Sequence, residues 1–107
     1  MRVLALKSCD TCRKALAALR AAGHDPQVID VADGIPPADL AAILAVHGDA
    51  ALNRASTTWR ALPEGERARP AADLLAAHPK LMKRPMIDTG ETWLKGWTPE
   101  VRTALGL

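Results

Sequence analysis

Hydrophobic positions near the start of the chain change rhythm at a pair of cysteines. Arg2 to Leu6 (RVLAL) is a short apolar run of strand length. From Cys9 the spacing becomes three-four-three-four, so that Cys9, Cys12, Leu16, Leu19 and Gly23 fall on one face of a helix. The stretch KALAALRAA has high helix propensity, and Gly23 suits the end of that helix. Gln27 to Val31 (QVIDV) reads as a second strand. The opening is therefore β-α-β, a crossover that normally joins parallel neighbours.

GIPP then breaks the chain, with Pro36 and Pro37 placed to start a helix. Leu40, Ile43, Leu44 and His47 mark its buried face, and Gly48 ends it. From Asp49 to Pro79 there is no strand signal. RPAADLLAAHP predicts one more helix, with Pro70 near its first turn and Pro79 just beyond its end. Met86 to Asp88 and Thr92 to Leu94, separated by a turn containing Gly90, predict a β-hairpin. TPEVRTALGL closes the chain as a helix, with Thr98 as N-cap, Pro99 in the first helical position and Glu100 at the positive helix end. The elements spell β-α-β, helices, β-β-α. That order predicts an α/β fold: a mixed four-stranded sheet on the thioredoxin-like plan, with an inserted helical subdomain. The expected organisation is a single domain over 1–107, the insertion covering about 37–80.

Composition narrows the function classes. The chain has 107 residues, 49% hydrophobic and 24% charged, as in an ordinary globular domain with a real core. Fourteen cations against twelve anions give a net charge of +2, too small to demand a nucleic-acid partner. No apolar run is long enough to cross a bilayer, so no membrane partner is expected. MRVLAL is too short for a secretory core and is followed at once by KSCDTCRK. A cytoplasmic location is expected, and there a CxxC pair is more often catalytic or metal-binding than a structural staple.

Cys9 falls at the strand-to-helix junction, where free helix N–H groups and the positive dipole end favour an anion. A thiolate is such an anion, so Cys9 is expected to be the more acidic thiol. Lys7, Arg13 and Lys14 add positive field, and Asp10 opposes it. Cys12 lies one turn in, on the apolar face, and is expected to be buried and less reactive. The asymmetry makes Cys9 the attacking thiol and leaves Cys12 available to resolve a mixed disulfide. Competing readings are two inert core thiols or a metal site. A zinc site needs about four ligands, whereas His24, His47 and His78 have no ligand-like spacing and sit near helix C-termini, where a cation is favoured. No metal is expected. LNRASTTWR, which places Arg54 near Trp59, is either a carboxylate- or oxyanion-binding loop or a solvated turn around one buried Trp. LMKRPMI puts Lys83 and Arg84 before Pro85. In a thioredoxin-like plan a proline there faces the cysteines and is often cis. The bland alternative is a surface basic pair before an edge proline.

Taken together, CDTCRKAL, LNRASTTWR and LMKRPMI resemble the ArsC/Spx family of thioredoxin-like proteins, and among them its short, YffB-like branch. The similarity runs nearly end to end, and TTWR is its most specific sign. The resemblance implies a glutathione-dependent thiol reductase of the arsenate reductase type, with Cys9 as nucleophile forming a mixed disulfide or oxyanion adduct. It maps the family's Arg-Pro pair onto Arg84 and Pro85, with Arg84 binding an oxyanion or a glutathione carboxylate and Pro85 shaping the thiol groove. It maps a second family arginine onto Arg54. Where arsenate reductases carry a third arginine, this chain has TWLKGW, and Lys95 is the nearby cation. Lys lacks the bidentate fork of Arg. The implied partners are glutathione, as co-substrate rather than bound cofactor, and glutaredoxin, acting on a monomer. Cys12 departs from glutathione-linked members and resembles the CxxC of Spx. The alternative is thus a redox-sensing regulator that binds RNA polymerase through a Cys9–Cys12 switch.

Overall fold

Strand Arg2–Ala5 pairs on both sides, and the sheet is built outward from it. The computed structural model describes residues 1–107. Its four strands are β1 (Arg2–Ala5), β2 (Gln27–Asp30), β3 (Met86–Asp88) and β4 (Trp93–Lys95). Its six helices are α1 (Asp10–Ala21), α2 (Pro37–His47), α3 (Thr57–Arg60), α4 (Glu64–Arg67), α5 (Ala71–Ala77) and α6 (Pro99–Ala104). Strand order is β2-β1-β3-β4, with β1 and β2 parallel and the other two pairings antiparallel. This is the mixed four-stranded sheet expected from the element order.

The chain divides into two compact units, residues 1–30 with 84–107, and residues 31–83. In the first, Val3 on β1 stands opposite Ile87 on β3. They share a core with Ala5 of β1, Cys12 and Leu19 of α1 and Val101 of α6, against which Leu16, Leu94, Trp97 and Leu105 pack. The period-2 pattern of the strands and the three-four spacing of α1 thus meet on one face. Thr98 caps α6 through its Oγ1, which accepts from the Val101 N–H at 3.2 Å. In the hairpin, the Asp88 carboxylate accepts from the Gly90 N–H at 2.9 Å, and Gly90 takes a φ of +94°, a left-handed conformation that glycine adopts without strain.

The second unit is helical. Leu40 and Ile43 of α2 and Leu74 and Leu75 of α5 are buried, while Leu44 and His47, expected on the same buried face, are only half-buried. Its boundaries are wider than the expected 37–80, because Val31 leaves the second strand for a short 3-10 turn (Val31–Asp33) and the unit runs on to Lys83. Its one extended pairing is an isolated antiparallel bridge, Leu52 with Met82. The second hairpin strand is shifted by one residue from the expected Thr92–Leu94 to Trp93–Lys95. No helix is long and apolar enough to cross a membrane.

Leu19 is fully buried in the first core. Leu19→Ala is expected to lower unfolding free energy by about 2–5 kcal/mol, and Thr98→Ala by about 1 kcal/mol, both measurable from urea midpoints at unchanged slope.

Candidate active site

The site begins with the turn that starts α1. Cys9 is the N-cap, in extended backbone conformation (φ −90°, ψ 113°). Its own N–H donates to the Leu6 carbonyl at 2.9 Å, and its carbonyl accepts the Arg13 N–H at 3.1 Å. Its side chain does what a Ser or Asp does at this position: Sγ accepts the Cys12 N–H at 3.4 Å. A sulfur acceptor here becomes more favourable as it gains negative charge, because the donor is one of the helix's otherwise unpaired N–H groups.

The two thiols are driven in opposite directions. Burial pushes Cys9 up, but hydrogen bonds from the Cys12 thiol and backbone N–H, then from the Arg84 guanidinium, together with that guanidinium's charge, outweigh it and leave Cys9 below its ordinary value. Burial dominates at Cys12, and the neighbouring Cys9 adds to it, so Cys12 is pushed up to about 11. The Leu6 backbone and Arg84 offset this only in part. Both thiols are free; Cys9 is partly exposed and Cys12 buried. One turn of helix therefore yields a partly exposed, more acidic thiol and a buried, weakly acidic one.

The cation acting on Cys9 is Arg84, not the nearby Lys7, Arg13 and Lys14 of the sequence reading. Arg13 instead donates to the Asp10 carboxylate, and that hydrogen bond holds Asp10 below its usual range and matches its charge. The sequence reading gave Arg84 a ligand-binding role; its action on the thiolate is an addition, since a residue far along the chain reaches Cys9 only through the pairing of β3 with β1. Arg84 immediately precedes β3 and its guanidinium Nε is buried. The Arg84–Pro85 peptide is cis. Pro85 is fully buried, and its carbonyl accepts the Gly96 N–H at 2.8 Å. Lys95, the half-buried last residue of β4, stands opposite Met86 in the ladder.

Arg54 belongs to the helical unit. Its guanidinium lies 5.4 Å from the centroid of the Trp59 ring and 3.9 Å from the Asp49 carboxylate. TTWR is the single-turn helix α3, capped by Ser56, whose Oγ accepts the Trp59 N–H at 3.1 Å. Trp59 is half-buried rather than the buried Trp of a solvated turn. His78, expected to serve only a helix end, also pairs with Glu66 at 3.2 Å. No group of three or more His, Cys, Asp or Glu side chains is placed to hold a metal ion.

Two outcomes check this electrostatic account. The midpoint of Cys9 alkylation by iodoacetamide is expected below 9.0, its ordinary value; Arg84→Met removes two of the lowering influences and is expected to raise it, with Arg84→Lys in between. In Cys9→Ser the Cys12 midpoint is expected to fall below about 11, since the influences from Cys9 are lost, yet to stay above 9.0 because burial remains.

The ArsC family model matches residues 4–104. Among solved structures, the YffB (PA3664) protein is 34% identical, covers 96% of each chain and superposes with a TM-score of 0.87. An arsenate reductase (ArsC) related protein from Brucella melitensis is 30% identical, covering 99% of this chain and 94% of its own, with a TM-score of 0.73. An arsenate reductase from Vibrio cholerae, 23% identical with a TM-score of 0.71 and coverage of 99% and 97%, shares the fold. A search of curated proteins returned no match. With its thioredoxin-like sheet, its thiol pair at the start of α1 and a family match running nearly end to end, the chain belongs to the ArsC family, in its short YffB-like branch.

Proposed function

We propose that the protein is a glutathione-linked thiol reductase in which Cys9 is the nucleophile. The observation that carries this reading is the set of donors around Cys9 Sγ: the Cys12 N–H and thiol and the Arg84 guanidinium, which together overcome burial and lower its pKa. A thiolate so held forms more readily than that of an ordinary cysteine, and the partly exposed sulfur is open to attack. The family's arsenate reductase relatives support the reaction class.

With a disulfide substrate, the Cys9 thiolate forms a new S–S bond to one sulfur as the old S–S bond breaks, and the other sulfur leaves as a thiolate and takes a proton from solvent. With an oxyanion, Cys9 Sγ bonds to the central atom while one oxygen, protonated from solvent, leaves as water; a thiol then attacks Cys9 Sγ, the bond from Sγ to the central atom breaks, and its electron pair leaves with the oxyanion, now reduced by two electrons. Glutathione supplies the reducing electrons in either case. Two glutathione thiols are oxidised to one disulfide per turnover, and Cys9 returns as the thiolate. Arg84 and Lys95 bind the anionic end of the substrate or of glutathione, and Pro85 shapes the groove in which the incoming thiol lies. Arg54 binds a carboxylate of glutathione. Glutaredoxin fits as a protein partner that accepts the adduct.

Cys12 is the internal resolving thiol. While Cys9 is a thiolate, it helps hold Cys12 protonated. Once Cys9 is in a mixed disulfide its charge is gone, and those two influences on Cys12 vanish while the Arg84 charge remains. Cys12 then becomes more acidic when its attack on Cys9 Sγ is needed, and the resulting Cys9–Cys12 disulfide is reduced by two glutathione thiols.

The test is intact mass after incubation with oxidised glutathione, paired with reduction of hydroxyethyl disulfide by glutathione. The wild type is expected to form a glutathione adduct or an internal disulfide, and Cys12→Ser to accumulate the adduct. Cys9→Ser is expected to form neither and to lose roughly a hundredfold or more in rate. An adduct and full turnover in Cys9→Ser would overturn the assignment.

A further inference from the structure

Helix α1 covers only part of the two strands it joins. In a β-α-β crossover the helix packs back onto the sheet and buries its near face. Yet β2 has no buried residue: Gln27 and Val28 are exposed, and Ile29 and Asp30 are half-buried. On the helix side, Cys12, Ala15 and Leu19 are buried while Leu16 is only half-buried. Between helix and edge strand lies a cleft of about 410 Å³, within the size range of small-ligand sites. Leu16 and Val28 form its apolar walls, with Ala5, Leu6 and Cys12 lining it between them. Every lining residue belongs to the stretch 1–30, so the cleft and the thiol pair share one compact unit.

The charged residues of the lining favour an anion on the exposed side. Lys7, two residues past β1, is exposed. Arg13 is paired with Asp10, but the two side chains are 63% and 78% exposed, and such a pair is weak and readily exchanged for ligand contacts. The one acidic residue, Asp30, is half-buried at the end of β2 opposite Ala5 and already has an interaction of its own. A cationic ligand would meet two like charges, and an uncharged one would leave both cations unused. Glutathione, polar along its whole length, would strip water from its amides against Leu16 and Val28 without replacing those hydrogen bonds. An apolar body carrying one carboxylate fits both the walls and the cations. Cys12 is 1% exposed and borders the cleft, whereas Cys9 does not line it.

We propose that this cleft binds a small apolar carboxylate, an aryl- or alkyl-carboxylic acid, with its apolar body between Leu16 and Val28 and its carboxylate on Lys7 and Arg13. The site goes beyond the reductase reading and does not rest on it. Its occupant lies against the buried thiol and leaves the partly exposed one open. Occupation therefore shields Cys12 from reagents while Cys9 keeps its access to solvent.

The probe is 4-phenylbutyrate, titrated into the reduced protein and followed by backbone amide chemical shifts, with 4-phenylbutyramide as its uncharged counterpart. Shifts are expected at Leu6, Lys7, Cys12, Arg13, Leu16 and Val28, with a Kd of about 1 mM or tighter. The carboxylate is expected to bind about two- to fivefold tighter than the amide, a preference that fades at about 1 M salt. Lys7→Gln is expected to reduce that preference by weakening the carboxylate alone. Val28→Asp, at a position 42% exposed on the edge strand, is expected to weaken both compounds. In Cys9→Ser, bound 4-phenylbutyrate is expected to slow iodoacetamide alkylation of Cys12 in proportion to the occupied fraction of the cleft. Shifts absent from these residues, equal binding of acid and amide, or unchanged Cys12 alkylation under saturation would each remove the site. Failure of Cys9 to take up glutathione, with the cleft results as expected, would remove the reductase reading and leave this site standing.

Discussion

The N–H of Cys12 pointing into the sulfur of Cys9 is the contact on which the site depends. It requires that α1 begin at Asp10, that Cys9 sit outside the helix in extended conformation, and that the helix be held in place. Ala15 and Leu19, fully buried on the same face, provide the holding. A helix start leaves several N–H groups without partners, and a cysteine at the cap turns that deficit into thiolate stabilisation. The same geometry separates the two thiols. The residue that gives its N–H is itself in the core, so burial disfavours its anion while its backbone favours the neighbour's.

This local arrangement is completed from far along the chain. Arg84 reaches Cys9 because β3 pairs with β1, so the strand that precedes the cysteines also positions the arginine. The residues around Arg84 are closely held: Pro85 is buried after a cis peptide, and its carbonyl is taken by Gly96. A guanidinium on a mobile loop would share its charge with solvent. That of Arg84, whose Nε is buried, bears on both thiols at once.

The parts of this molecule that depend on nearby residues were legible in the sequence. The β-α-β opening, the Cys9 cap, the buried Cys12, the Thr98 cap and the Gly90 turn each follow from spacing and residue type within one or two turns of chain. The errors have physical causes. Val31 is apolar and extends the pattern of β2, but the backbone has already turned into a 3-10 step, so the helical unit starts earlier than its prolines suggest. Leu44 and His47 fit the α2 stripe by spacing, yet the covered face is narrower than that stripe. TTWR has little helical pattern because one capped turn is too short to show a period. The sequence reading credited Lys7, Arg13 and Lys14 with the field on Cys9 and did not weigh Arg84 for it, because proximity in sequence stood in for direction in space. Arg13 looks back to Asp10, and only tertiary pairing brings Arg84 to the sulfur. The motif match, in contrast, identified the family because it drew on three separated stretches together.

The sheet ends in two very short strands. β2 offers four residues at one edge and β4 three at the other. Each edge carries charge at its end, Asp30 on β2 and Lys95 on β4, and Val28, the exposed apolar residue of β2, stands beside the polar Gln27. Edges this short and this charged are poor templates for strand addition by another chain. With such edges, the surface that carries Cys9 can be approached by another chain without that chain being recruited into the sheet.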